Sequence, residues 1–205
     1  MHIIKIILSF VLLSVGVVNA QNSYQKMGQK ALIDGNFKLA VTNLEKAIVI
    51  DSNNVSTLYM LGYSYYHSLN YKKAVSAFNK VLVLKSGEVA AYYYRGKAQS
   101  NMANDIKSLS NFEREKLLSA SIKDFSTAIQ LSTEDIKLYQ NRGLAYLDYG
   151  ILKAQKLPKV YDKKKSANAF KLSIEDFQKI LDFNPGRKDI TSKLETAKEY
   201  LRSLK

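Results

Sequence analysis

Few residues in this chain could do chemistry. Cysteine is absent from the 205 residues and histidine occurs only as His2 and His67. His2 falls in a leader-like segment described below, so neither a Ser-His nor a Cys-His pair, nor a histidine metal cluster, can be assembled. There is no Gly-rich phosphate loop. Carboxylates lie close together at Glu113/Glu115, Glu134/Asp135 and Glu175/Asp176, next to helix ends or on outer helix faces. A paired-carboxylate hydrolase needs two such groups held across one cleft; these read as solvated helix charges. The chain is therefore expected to be no enzyme, with no cofactor, no metal and no small-molecule substrate.

Two constellations suit binding instead. Tyr59, Tyr63 and Tyr66 are spaced by four and three, which places them on one helix face, beside but distinct from the apolar stripe of Leu58, Leu61, Gly62 and Tyr65. Tyrosine offers a flat apolar surface with a hydroxyl at low entropic cost, which suits a protein or peptide partner. The same rings could equally fill space between neighbouring helices. The second constellation is Lys153, Lys156, Lys159, Lys163, Lys164, Lys165 and Lys171, with Asp162 as the only acid within that stretch. It reads either as a solvated loop or as a contact for an anionic lipid, an acidic glycan or an acidic protein. With 31 basic and 18 acidic residues the net charge is +13, which favours anionic partners in general. Nucleic acid is not expected, because no groove-reading motif is present.

The elements that must position these residues repeat. Over Val55 to Glu88, Leu58, Leu61, Gly62, Tyr65 and Leu69 recur at helical intervals, Asn70 and Tyr71 interrupt, and Ala74, Phe78, Val81 and Leu82 resume them. The unit is a helix, a tight turn and a second helix. Gly28, Gly62 and Gly96 are 34 residues apart, each with a large residue four positions earlier (Tyr24, Leu58, Tyr92). Gly143, with Tyr139 at the same offset, follows 47 residues after Gly96, so the third unit carries an insertion of about 13 residues; a further one of about 18 lies in the fourth. A hairpin of this kind cannot bury its stripe alone, so it stacks on copies of itself.

This pattern resembles the tetratricopeptide repeat (TPR) family. The residues carrying the resemblance are Ala40, Leu44 and Ala47 in the first unit and Leu61, Gly62, Tyr65, Ala74 and Phe78 in the second. Tyr92, Gly96, Phe125 and Ala128 carry it in the third, and Tyr139, Gly143, Tyr146, Phe177 and Pro185 in the fourth. The resemblance implies an all-α fold, a right-handed α-solenoid of helical hairpins with a C-terminal capping helix. It also implies a concave groove lined by the first helix of each hairpin. Carried along the repeat, the positions of Tyr59, Tyr63 and Tyr66 give Tyr93 and Lys97 in the third unit, Gln140 in the fourth, and Gln25 and Gln29 in the first. The lysine, asparagine and arginine set with which some arrays of this family clamp a terminal carboxylate is not reproduced, so that mode of binding is disfavoured. Departures from the family pattern are Ser52, Ser86 and Thr133 at the terminal proline position, and Arg95 and Arg142 before the glycine. Each arginine is expected to lay its stem on the packing surface with the guanidinium in water, or to serve as a polar contact for a partner.

The organisation that follows is a signal peptide over 1–20, repeats over about 21–54, 55–88, 89–135 and 136–187, and a capping helix over 188–205. The leader has a basic start at Lys5, an apolar run from Ile6 to Val18, and small residues at Val18 and Ala20 before a cleavage point. An uncleaved membrane anchor is the alternative. The first helix of the third unit is expected to continue through Ile106 and Leu109, and its second to span about 112–131. Pro158 should end the following long helix near Leu157, with the next starting near Ser166. Ile190, Leu194, Ala197, Leu201 and Leu204 share one face of the closing helix. Nine helices and no strand are expected. The function these features suggest is an exported, periplasmic or secreted, non-catalytic scaffold that binds a protein or peptide through its tyrosine-rich face. The alternative is an envelope-surface adaptor contacting an anionic surface through the lysine-rich insertion 153–171.

Overall fold

The computed structural model describes residues 23–204; the leader segment 1–20 lies outside them. Nine helices and no strand occur among the described residues: α1 (23–33), α2 (Phe37–Ile50), α3 (Val55–His67), α4 (Tyr71–Leu84), α5 (Val89–Ala103), α6 (Asn111–Leu131), α7 (Ile136–Ala154), α8 (Lys163–Phe183) and α9 (Lys188–Ser203). They form two compact units that meet in sequence at Glu88 and Val89.

Side-chain caps start most of these helices. Asn36, Asn54, Asn70, Asp135 and Asp162 each accept a hydrogen bond from a first-turn N–H of α2, α3, α4, α7 and α8. Ser110 and Glu113 form a reciprocal capping box at α6. The α1–α2 and α3–α4 turns are built alike. Asn36 N–H donates to Ala31 O at 2.8 Å and Asn70 N–H to Tyr65 O at 2.8 Å, with Gly35 (φ +70°) and Leu69 (φ +62°) in the left-handed region. Leu69 therefore leaves the apolar stripe that its spacing suggests and is 71% exposed.

In the first unit α2 packs on α3 and α3 on α4. The close approach is made at glycine: a Cβ on Gly62 would lie 2.9 Å from the Phe78 ring, and one on Gly28 2.5 Å from Leu44. The second unit repeats this with Gly96 against Phe125 and Gly143 against Phe177. Its main core joins Leu138, Phe170, Phe177 and Ile180 to Ile190, Leu194 and Ala197 of α9, and Leu201 and Leu204 pack on it. A smaller cluster of Ala103, Leu118 and Leu152, with Leu117, Tyr149 and Val160 against it, closes the far end of the lengthened hairpins.

The insertions lengthen helices, and α6 at Asn111–Leu131 matches the span of about 112–131 expected for it, but the first helix of the third unit does not extend as expected. α5 stops at Ala103, so Ile106 and Leu109 lie in a connector and Ile106 is 67% exposed. Asp105 accepts from Ser108 N–H at 3.2 Å, a local turn that competes with helix continuation. The Ser110 cap then starts α6 at Asn111. α7 ends at Ala154, short of Leu157, and α8 begins at Lys163 rather than Ser166, because Asp162 caps it three residues earlier.

Candidate functional site

In the first unit Tyr59, Tyr63 and Tyr66 lie half-buried on α3, beside the buried Leu58, Leu61, Gly62 and Tyr65. They are part of a larger ring array. The Tyr63 and His67 rings are 4.3 Å apart, Phe37 of α2 stacks on His67 at 4.7 Å, and Phe37 and Tyr63 are 6.2 Å apart. Tyr66 meets His67 edge-on at 5.1 Å and Tyr71 at 5.6 Å, and Tyr59 sits edge-on to Phe78 at 5.8 Å. Burial, with Glu88 nearby, pushes the Tyr59 phenol up to about 12, so at neutral pH it keeps its proton. Phe37 and His67 were not anticipated from sequence; the signal was their spacing, His67 one turn beyond Tyr63 and Phe37 the first residue of the preceding helix. Such a surface offers aromatic faces for stacking.

Beside it, Tyr65 donates its hydroxyl proton to Glu45, which also accepts from Lys73 Nζ at 3.1 Å. The Tyr65 bond is the main reason the Glu45 carboxyl is held below its ordinary value.

In the second unit Tyr93 sits edge-on to Phe125 at 6.2 Å and Tyr94 at 5.0 Å, with Lys97 Nζ 5.2 Å from the Tyr93 ring centre. Gln140 is less available than its position suggested. Its Oε1 accepts from Arg187 Nη2 at 3.0 Å, at the entry to α9.

The lysine set divides. Lys156, Lys159, Lys163, Lys164, Lys165 and Lys171 are exposed, but Lys153 is buried on α7. Its Nζ donates to Glu115 at 3.2 Å, so it does not belong to the surface patch expected from the sequence. Glu115 also accepts from the Tyr149 hydroxyl at 3.1 Å, and Lys165 Nζ lies 3.9 Å from it. Asp162 is therefore not the only acid opposing the cluster.

Arg95 and Arg142 take neither course expected of them. Arg95 donates through Nε (2.8 Å) and Nη2 (2.5 Å) to Asp124, and Arg142 through Nε (2.9 Å) and Nη2 (2.7 Å) to Asp176. Both aspartates are buried, so Asp176 is no solvated helix charge. Burial pushes both carboxyls above their ordinary value although the guanidinium opposes it. Among the described residues no three His, Cys, Asp or Glu side chains converge on a metal site. Open depressions of 290, 280 and 270 Å³ fall below the usual size of a small-molecule pocket, about 300 Å³ or more.

Helical hairpins that pack a glycine of the first helix against a large apolar side chain of the second, Leu44 in the first repeat and a phenylalanine ring in the next three, define the tetratricopeptide-repeat fold. Solved structures bear this out. The structure of MamA residues 41 to the end from Desulfovibrio magneticus RS-1 matches with a TM-score of 0.64 and 18% identity, over 90% of this chain and 93% of that one. A crystal structure of MamA matches with 0.57 and 23%, over 88% and 91%. The second TPR domain of human RPAP3, in complex with the HSP70 peptide SGPTIEEVD, matches with 0.52 and 16%, over 63% and 97%. No protein-family model matches the chain, and no curated protein matches it significantly.

Proposed function

We propose that this chain is an exported, non-catalytic scaffold that binds an extended peptide or protein segment through the aromatic face of α3. The observation that carries the reading is the array of Phe37, Tyr59, Tyr63, Tyr66 and His67, half on the surface and held by ring contacts of 4.3 to 6.2 Å. Rings fixed in this way lose little freedom when a ligand docks. Peptide binding by one structure of the same fold supports the choice of ligand class. Within the second unit, Tyr93, Lys97 and Gln140 occupy the equivalent repeat positions, with the Gln140 amide engaged by Arg187. Export rests on the leader-like residues 1–20.

The test is selection of peptides from a random library on the full chain, followed by titration against Tyr63→Ala and Tyr66→Ala. Affinity should fall about tenfold or more for each, with the circular dichroism spectrum unchanged. Ligands that bind both variants as tightly as the parent would place the site elsewhere.

A further inference from the structure

We infer that the insertion-bearing end of the second unit is a docking surface for an anionic phospholipid bilayer. Both insertions leave the fold at one place. The Ala103, Leu118 and Leu152 cluster joins the end of α5, the start of α6 and the end of α7, and Val160 of the second loop packs into it. Arg114 Nε donates to Ala103 O at 2.9 Å, and Asp162 N–H to Lys153 O at 2.9 Å, so both loop bases are tied to this cluster.

Around it the chain turns large apolar side chains outward. Phe112 is 76% exposed, Ile106 67%, Leu157 48% and Tyr161 45%. These four lie in the connectors or the first turn of α6, rather than along a groove. The second loop is a formed turn: Val160 and Tyr161 N–H both reach Leu157 O at 3.1 Å, and Lys159 holds φ +63°. Plugging Val160 into the core leaves its neighbours Lys159 and Tyr161 facing solvent.

Charge selects the partner. Lys107, Lys116, Lys156, Lys159, Lys163 and Lys164 are exposed on the same segments. Asp105, Glu113, Glu115 and Asp162 share these segments but are outnumbered: residues 104–116 and 153–165 carry nine lysines and arginines against these four acids. Aromatic and aliphatic groups separated along loops and ringed by lysine suit a fluid anionic interface, in which each group finds its own depth. A protein partner would instead have to supply a separate pocket for each. No helix among the described residues is long and apolar enough to cross a membrane, and this docking needs none.

The chain contains no tryptophan, so Tyr161→Trp in the full-length protein places a single reporter at the loop. Vesicles of phosphatidylcholine with 30% phosphatidylglycerol should shift the emission of the indole at position 161 to the blue, and pure phosphatidylcholine vesicles should not. Adding Lys156→Gln, Lys159→Gln and Lys164→Gln should raise the lipid concentration needed by roughly tenfold or more. Those changes should leave binding of the library-selected peptides unchanged, which separates this surface from the aromatic face of α3. An unshifted emission, an equal shift with pure phosphatidylcholine, or a shift with soluble polyglutamate but not with vesicles would each overturn the inference.

Discussion

The two arginines that precede a repeat glycine carry a lesson about single side chains. In the second repeat the corresponding pair is apolar, Leu61 and Ala77; in the third it is Arg95 and Asp124, and in the fourth Arg142 and Asp176. Both partners change together, which was the signal in the sequence, but only the structure turns the guanidinium inward. A buried pair returns little more than its desolvation costs, whereas a widowed charge is costly. Arg95→Leu alone should therefore destabilise by about 3 kcal/mol or more, and Arg95→Leu with Asp124→Ala should come within about 1 kcal/mol of the parent or exceed it. Urea melts of the four proteins in the cycle measure this. Asp148 of α7 is a half-buried carboxylate, raised by burial and only partly relieved by Lys193 and Arg114. An acid whose folded pKa is raised holds its proton more tightly folded than unfolded, so its contribution to stability falls as pH climbs from about 4 through the folded value. Asp148→Asn should be more stable than the parent at pH 7, and the gain should shrink toward pH 4. Leu69 bears a left-handed backbone where the preceding repeat has Gly35. Leu69→Gly should add about 0.5–1 kcal/mol, read as a raised Tm, since relief of backbone strain exceeds the entropy glycine gives the unfolded chain.

Helices and hairpins were the most readable part of the chain, because glycine and its large apolar partner recur from repeat to repeat, at 34 residues over the first three. Their ends were less so. Ile106 and Leu109 continue a helical spacing, yet Asp105 and Ser110 offer local hydrogen bonds that stop one helix and start the next. The fourth hairpin uses its insertion to copy its own contact one heptad on. Gly143 meets Phe177 and Gly150 meets Phe170, while Ser173 and Ser166 donate to Gly143 O at 2.8 Å and Gly150 O at 2.9 Å. The offset of seven in both helices was visible in the sequence, and a first helix reaching Leu157 with a second from Ser166 already made both long; the second glycine–phenylalanine contact is what that reading missed. A Cβ at position 150 would lie 2.6 Å from the Phe170 ring. Gly150→Val should then cost about 2–3 kcal/mol through overpacking, seen as a lower urea midpoint. Ser110→Ala removes the α6 cap and should cost about 1 kcal/mol, with loss of amide-exchange protection confined to the first turn of α6.

Taken as a molecule, the chain combines a repeated packing rule with two surfaces that the rule does not use. The aromatic face of α3 was half readable: the tyrosine spacing marked it, but Phe37 belongs to another helix and only folding brings it to His67. The basic surface was readable as a count of lysines and not as a place. Lys153 was lost to Glu115, and exposed apolar residues from a different insertion were gained, because contacts distant in sequence decide which charges face water. The account stands on the aromatic face being where a partner sits. Site-specific photocrosslinking tests this with p-benzoylphenylalanine replacing Tyr63 and, separately, Val49, which is 86% exposed in the same unit. Expressed in the native host, the position 63 protein should form a discrete adduct with a polypeptide partner and the position 49 protein should not. Adducts from position 49 with none from position 63 would contradict it.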